Sequence, residues 1–161
     1  FKNCENRIKS MVLIHDMVYN SEVYTQFNWQ DFLNKLTIHL LSFYEIDKSK
    51  VSFKIKAENI NIGINTAITC GLIMNELITN SLAHAFRQSQ KGEIAISFHH
   101  VDDEIELIVE DNGVGLKKEI DIDNPNTIGL SLLVSWVNQI LGKIEVDRSA
   151  GTRFAINFSI A

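Results

Sequence analysis

The chain has 161 residues, 45% of them apolar and 22% charged, with a formal net charge of −5. That is enough for one domain with a sizeable core. The acidic balance, with no basic run to follow a phosphate backbone, argues against a nucleic-acid partner.

Cys4 and Cys70 stand far apart in no metal or redox spacing, so reduced thiols in a cytoplasmic compartment are expected rather than a disulfide framework. No apolar stretch approaches the roughly eighteen residues of a membrane span, and the N-terminus has no signal-peptide layout. The chain lacks an initiator methionine and is expected to be a fragment of a longer protein. No membrane contact is expected of the fragment, although membrane attachment elsewhere in the full-length protein is compatible with it.

In chain order, Ile8, Met11, Val12, Val18 and Tyr19 recur at helical spacing and predict an amphipathic helix over residues 1 to 20. The polar stretch NSEVYTQFN separates it from a second helix, Trp29 to Tyr44, with Asn28 as N-cap and Asp31 complementing the first turn. A domain boundary is placed near residue 25, dividing 1–24 from 25–161.

Beyond Asp47 the apolar period becomes two. Val51, Phe53, Ile55 and Ala57 alternate with polar residues; so do Ile94, Ile96 and Phe98, then Ile105, Leu107 and Val109, and finally Phe154, Ile156, Phe158 and Ile160. A short strand around Ile144 and Val146 precedes the last, and only Asp102 and Asp103 separate the strands at 93–101 and 104–111, a hairpin-length link. Helices over Asn65–Phe86 and Leu130–Leu141, the latter ending at Gly142 as a C′ residue, are left to cover one face. The expected fold is a two-layer α/β (α+β) sandwich with a mixed, mostly antiparallel sheet. The segment KKEIDIDNPNT, Lys117 to Thr127, carries the single proline, Pro125, and reads as a mobile loop.

Three elements carry candidate chemistry. In VEDNGVG, strand alternation turns Asp111 to the same face as Ile105, Leu107 and Val109, so a buried carboxylate needs donors from the protein or from a ligand. Gly113 and Gly115 leave room where the chain exits the strand. Thr152, after Gly151, adds a second inward polar group at the same level. A turn-capping aspartate explains the same residues without any ligand.

In NELITNSLAHAF, about 100° per residue sets Glu76 and Asn80 about 40° apart, with Ala83 and Arg87 on the same stripe. A carboxylate and an amide there can hold hydrated Mg²⁺, or simply bond each other. Asn75 points into the apolar side with no partner that the sequence identifies. In NTIGLSLLVSWV, Gly129 opens a helix whose first N–H groups suit a phosphate. The P-loop pattern is absent, and GVGLKK fails the dinucleotide pattern at its last position.

In order, NELITNSLAHAF, DNGVGL, IGLSLLV and AGTRF resemble the N, G1, G2 and terminal Gly-Thr motifs of the GHKL superfamily of gyrase, heat-shock chaperone, histidine kinase and MutL ATPases. The NEL and HAF segments and the helix RIKSMVLIHDMVYNSE resemble sensor histidine kinases with an upstream H-R-x-K-N-N phosphoacceptor. The resemblance implies a Bergerat-type ATP-binding domain that transfers the ATP γ-phosphoryl group to a histidine upstream of the fragment. It implies Asp111 on the adenine amino group with Thr152 supporting it, Asn80 on Mg²⁺, Glu76 polarising the attacking group, and residues 116–128 as a lid hinged at Gly129 and Leu130. The ATP-contacting set is then Asn80, Ala83, His84, Arg87, Asp111, Gly113, Gly115, Lys118, Gly129, Leu130 and Thr152. Implied partners are a response regulator, the protein's own phosphoacceptor helix and a second copy in a homodimer, with residues 1–24 as the C-terminal part of the dimerisation hairpin.

The sequence departs from the family where a lysine is common and Ala83 stands, where a second glycine is common and Ser131 stands, and in having no H-R-x-K-N-N segment. Arg87, Lys117 or Lys118 are candidate substitutes for the missing lysine. Of the histidines, His15 is expected to be a packed helix residue, His99 and His100 surface strand residues, and His84 to pack beneath the lid. The competing functions are a GHKL ATPase that hydrolyses ATP for conformational change and a non-catalytic nucleotide-binding or docking module.

Overall fold

The computed structural model describes residues 2–19, 27–85, 91–115 and 120–160. In chain order it contains α1 (Lys2–Tyr19), α2 (Trp29–Phe43), β1 (Val51–Ala57), α3 (Ile64–Asn80), β2 (Gly92–Val101), β3 (Glu104–Asp111), α4 (Ile128–Gln139), β4 (Lys143–Asp147) and β5 (Thr152–Ser159). The boundary expected near residue 25 lies outside the described residues, as do Phe86 and residues 116–119.

The five strands form one sheet in the order β1-β2-β3-β5-β4. β1 runs parallel to β2, and the other neighbours are antiparallel. The period-two pattern explains the layering: Ile94, Ile96 and Phe98 of β2, Ile105, Leu107 and Val109 of β3, and Phe154, Ile156 and Phe158 of β5 all face one buried side. Trp29 anchors α2 to that side, edge-on to Phe98 at 4.8 Å, with its indole N–H donating to the Ile60 carbonyl at 3.3 Å. Gln30 caps the outer edge of β1, its amide donating to the Ile55 carbonyl and accepting from the Ala57 N–H.

The helix ends differ from the sequence expectation in instructive ways. Asn28 caps α2 by accepting from the Asp31 N–H at 3.0 Å, as expected. α4 starts two residues earlier than predicted because Thr127 acts as its N-cap, its hydroxyl accepting from the Leu130 N–H at 3.3 Å. At the far end the left-handed C′ residue is Leu141, φ 55°, and not Gly142. The Gly142 N–H reaches the Val137 carbonyl and the Leu141 N–H the Asn138 carbonyl, a Schellman pair. Gly142 is needed instead for close packing, since a Cβ there would lie 3.2 Å from the Asn157 carbonyl.

α3 was expected to run as a regular helix to Phe86. It changes to a π-helical turn over Ser81–Ala85, yet Ala83 still lines one cavity with Glu76 and Asn80, while Arg87 lies outside the described residues. The expected mobile loop is anchored where it is described: Ile120 and Ile122 pack against the core, and the Arg148 guanidinium donates to the Ile120 carbonyl.

α1 lies across α3. Ile14 and Val18 are buried, and Ile14 sits against Gly71, where a Cβ would meet its side chain at 3.1 Å. A polar ladder continues the interface: the Asn6 amide donates to the Thr79 hydroxyl at 3.3 Å, and the Ser10 hydroxyl to the Asn75 side-chain Oδ1 at 2.8 Å. Asn75 thereby acquires the partner that the sequence did not identify.

Candidate active site

The first half of the site is built where β3 and β5 end. Asp111 and Thr152 are direct partners in the β3–β5 register, both buried. The Asp111 carboxylate accepts from the Ser81 hydroxyl at 2.9 Å, the Gly113 N–H at 3.0 Å and the Thr152 N–H at 3.3 Å. The protein therefore supplies the donors that a buried carboxylate requires. Thr152 does so through its backbone, and Ser81 was not singled out from the sequence.

The glycines around Asp111 have a packing reason. Gly151 has φ +82°, and a Cβ there would lie 2.0 Å from the Asp111 carbonyl oxygen. Gly115, φ +81°, sits against the Gly151 and Arg148 carbonyls, so the room it leaves is filled by backbone. Gly113 contributes its N–H to the carboxylate.

The second half is a cavity of about 380 Å³ between α1, α3 and the start of α4. Glu76, Asn80, Ala83 and Gly129 line it, as the sequence grouped them, together with Arg7 and Thr127, which it did not. Arg7 grips Glu76 with two parallel bonds, Nε to Oε2 and Nη2 to Oε1, each 3.1 Å. The Glu76 side chain is only 3% exposed, and the pair keeps Arg7 more firmly charged, chiefly through that hydrogen bond. Burial, then the Glu76 charge, pushes up the nearby Tyr44 phenol, which is hydrogen-bonded to Thr79 and Asn6.

Gly129 makes room here for Glu76, since a Cβ would lie 2.2 Å from Glu76 Oε1. Leu130, expected at a hinge, is a buried core residue whose N–H is held by Thr127. Arg87 and Lys118 lie outside the described residues, as does the side chain of His84. Consecutive residues join the two halves: Asn80 faces the cavity while Ser81 holds Asp111.

The histidines are partly corrected. His15 is exposed on α1, stacked on Tyr19 at 5.7 Å, and is not packed. His99 and His100 lie on the strand surface, paired with Glu106 and Glu58. Cys4 is exposed and Cys70 buried, with its thiol pushed up to about 12 by desolvation. Among the described residues no helix is long and apolar enough to cross a membrane, and no group of three or more His, Cys, Asp or Glu could hold a metal ion.

Residues 65–161 match the family described as histidine kinase-, DNA gyrase B- and HSP90-like ATPase, and residues 1–44 match a histidine kinase family. A blue-light-activated histidine kinase 2 of Erythrobacter litoralis is 25% identical over 114 residues, 70% of this chain and 33% of that relative. The sensor histidine kinase PdtaS of Mycobacterium tuberculosis is 23% identical over 92% of this chain and 28% of its own length. The chain thus spans about a third or less of these relatives. In structure, the histidine kinase domain of the Erythrobacter litoralis EL346 blue-light-activated kinase superposes with a TM-score of 0.85 at 19% identity, covering 99% of this chain and 76% of that one. The chain belongs to the histidine kinase-, DNA gyrase B- and HSP90-like ATPase family.

Proposed function

We propose that this domain binds ATP with Mg²⁺ and passes the γ-phosphoryl group to a histidine carried N-terminal to α1, in the subgroup with an H-R-x-K-N-N acceptor. The observation that carries the reading is the junction at the end of α3, where Ser81 orients the Asp111 carboxylate and Asn80 faces the adjoining cavity. A ligand with an amine at one end and phosphates at the other matches that pairing. Asp111 accepts from the adenine amino group, with Thr152 and Ser81 fixing its orientation.

Glu76 and Asn80 line the cavity together with the oxygen-bearing side chains of Asn6, Thr79 and Thr127, and Glu76 is already paired with Arg7. The Asn80 amide would hold a magnesium ion brought largely by the phosphates, and such an ion would supply charge neutralisation for the transferring group. In the transfer, an imidazole nitrogen of the acceptor forms its bond to Pγ while the bond to the β–γ bridging oxygen breaks. ADP leaves with that electron pair, and Glu76 polarises the imidazole and takes its proton.

Residues 1–24 are assigned to a helical dimerisation hairpin and 25–161 to the catalytic unit. Support comes from α1, where Ile8 at 63%, Val12 at 55% and Tyr19 at 59% exposure form an uncovered stripe with Met11 and His15. A helix from the same hairpin or from a second copy would cover it, and a response regulator is the proposed recipient of the phosphoryl group.

Calorimetric titration with ATP and GTP, each with and without Mg²⁺, tests the reading. Selective, magnesium-enhanced ATP binding is expected. No binding, or equal binding of both nucleotides, would overturn it.

A further inference from the structure

Neither α3 nor α4 contributes a cationic side chain to the cavity lining among the described residues, yet a nucleoside triphosphate needs a cation near its phosphate end. We propose that Arg7, on helix α1, is that phosphate-binding cation; the proposal rests on the nucleotide reading above.

Arg7 lines the same cavity as Asn80, Ala83, Thr127 and Gly129, and it is the one cationic side chain among the described residues that do so. Its Nη2 lies 3.1 Å from the position a Cβ would take at Gly129, which places the guanidinium beside the first turn of α4, the end of a helix that favours an anion. The pair with Glu76 engages Nε and Nη2, whereas a guanidinium carries five N–H donors in a planar fork, so Nη1 is not committed to Glu76.

Charge supports the same assignment. Without Arg7, the cavity would present a phosphate with the buried Glu76 carboxylate and no cation from the described residues. With Arg7 in place its charge balances that of Glu76 in the cavity wall. Arg7 and Glu76 are separated by 69 residues, so the cation reaches the site only while α1 is seated on α3. The phosphate end of the pocket is thus completed by the helix assigned to the dimerisation hairpin.

Substituting Arg7 alone would strand a buried carboxylate, so the informative comparison is Glu76→Gln against Arg7→Gln/Glu76→Gln. Both would be titrated with ATP and with AMP in the presence of Mg²⁺, following the backbone amide resonances of Asp111 and Thr152 by NMR. AMP binding should be equal in the two proteins, showing that the adenine end is intact. ATP binding should be about 10- to 100-fold weaker in the double variant, the worth of a hydrogen bond to a charged group. Arg7→Lys, which keeps a cation on the native carboxylate, should lose less. Equal ATP affinity in the two glutamine variants would overturn the assignment of Arg7. Failure of the unsubstituted protein to shift those amides with ATP would instead remove the nucleotide reading and this proposal with it.

Discussion

Asp111 holds three protein donors on two carboxylate oxygens, so its geometry is set before any ligand arrives. Asp111→Asn replaces an acceptor-only group with one that offers N–H to donors. ATP affinity should fall about 10- to 100-fold, equivalent to about 1.5–3 kcal/mol. Titration of the variant checks this, and unchanged affinity would remove the adenine role. His39 offers a second test at this scale. Its Nε2 is buried without a hydrogen-bond partner among the described residues, and desolvation, then nearby Lys9, lowers its pKa below the ordinary value. The folded state therefore binds fewer protons than the unfolded one near neutrality. Stability should be full above about pH 6.5 and decline as pH falls below it. In urea unfolding between pH 8 and 5, His39→Phe should flatten part of that decline; an identical pH profile would exclude His39 as its source.

At the scale of elements, two helices end with the same device and the same flaw. α2 closes with the Ile46 N–H on the Leu41 carbonyl and the Glu45 N–H on Ser42, while Glu45 takes φ 53°. α4 closes likewise with Leu141 at φ 55°. Neither residue is glycine, and Leu141 is 89% exposed, so its side chain contributes no packing that offsets the left-handed backbone. Glu45→Gly and Leu141→Gly should each stabilise the protein by about 0.5–1 kcal/mol, the left-handed cost less the extra chain entropy of glycine. A rise in the urea midpoint with unchanged slope would verify this, whereas a fall would show that those side chains hold more than their exposure indicates. The π-helical turn after Asn80 belongs to the same scale, since it carries Ala83, which lines the cavity with Glu76 and Asn80.

For the molecule as a whole, the decisive feature is that α1 packs on the catalytic unit. Ile14 is 1% exposed against Gly71, and Asn6, Arg7 and Ser10 each bond to α3. Ile14→Ala should lower global stability by about 2–4 kcal/mol within one unfolding transition. A separate early transition, or no change in the midpoint, would show that α1 unfolds independently of the sheet.

The sequence by itself determined the layers and the strands, because a period of two along Ile94–Phe98 or Ile105–Val109 permits only one face to be buried. It also located Asp111, Glu76, Asn80 and Gly129, whose residue types are unusual for the apolar or helix-opening positions they occupy. The partners of those residues depended on the tertiary structure. Ser81 reaches Asp111 because α3 packs over the end of β3, and Arg7 reaches Glu76 only because α1 folds back across it. Periodicity records which face of an element is apolar, while the distance between two polar groups far apart in the chain is set by packing that no local pattern encodes.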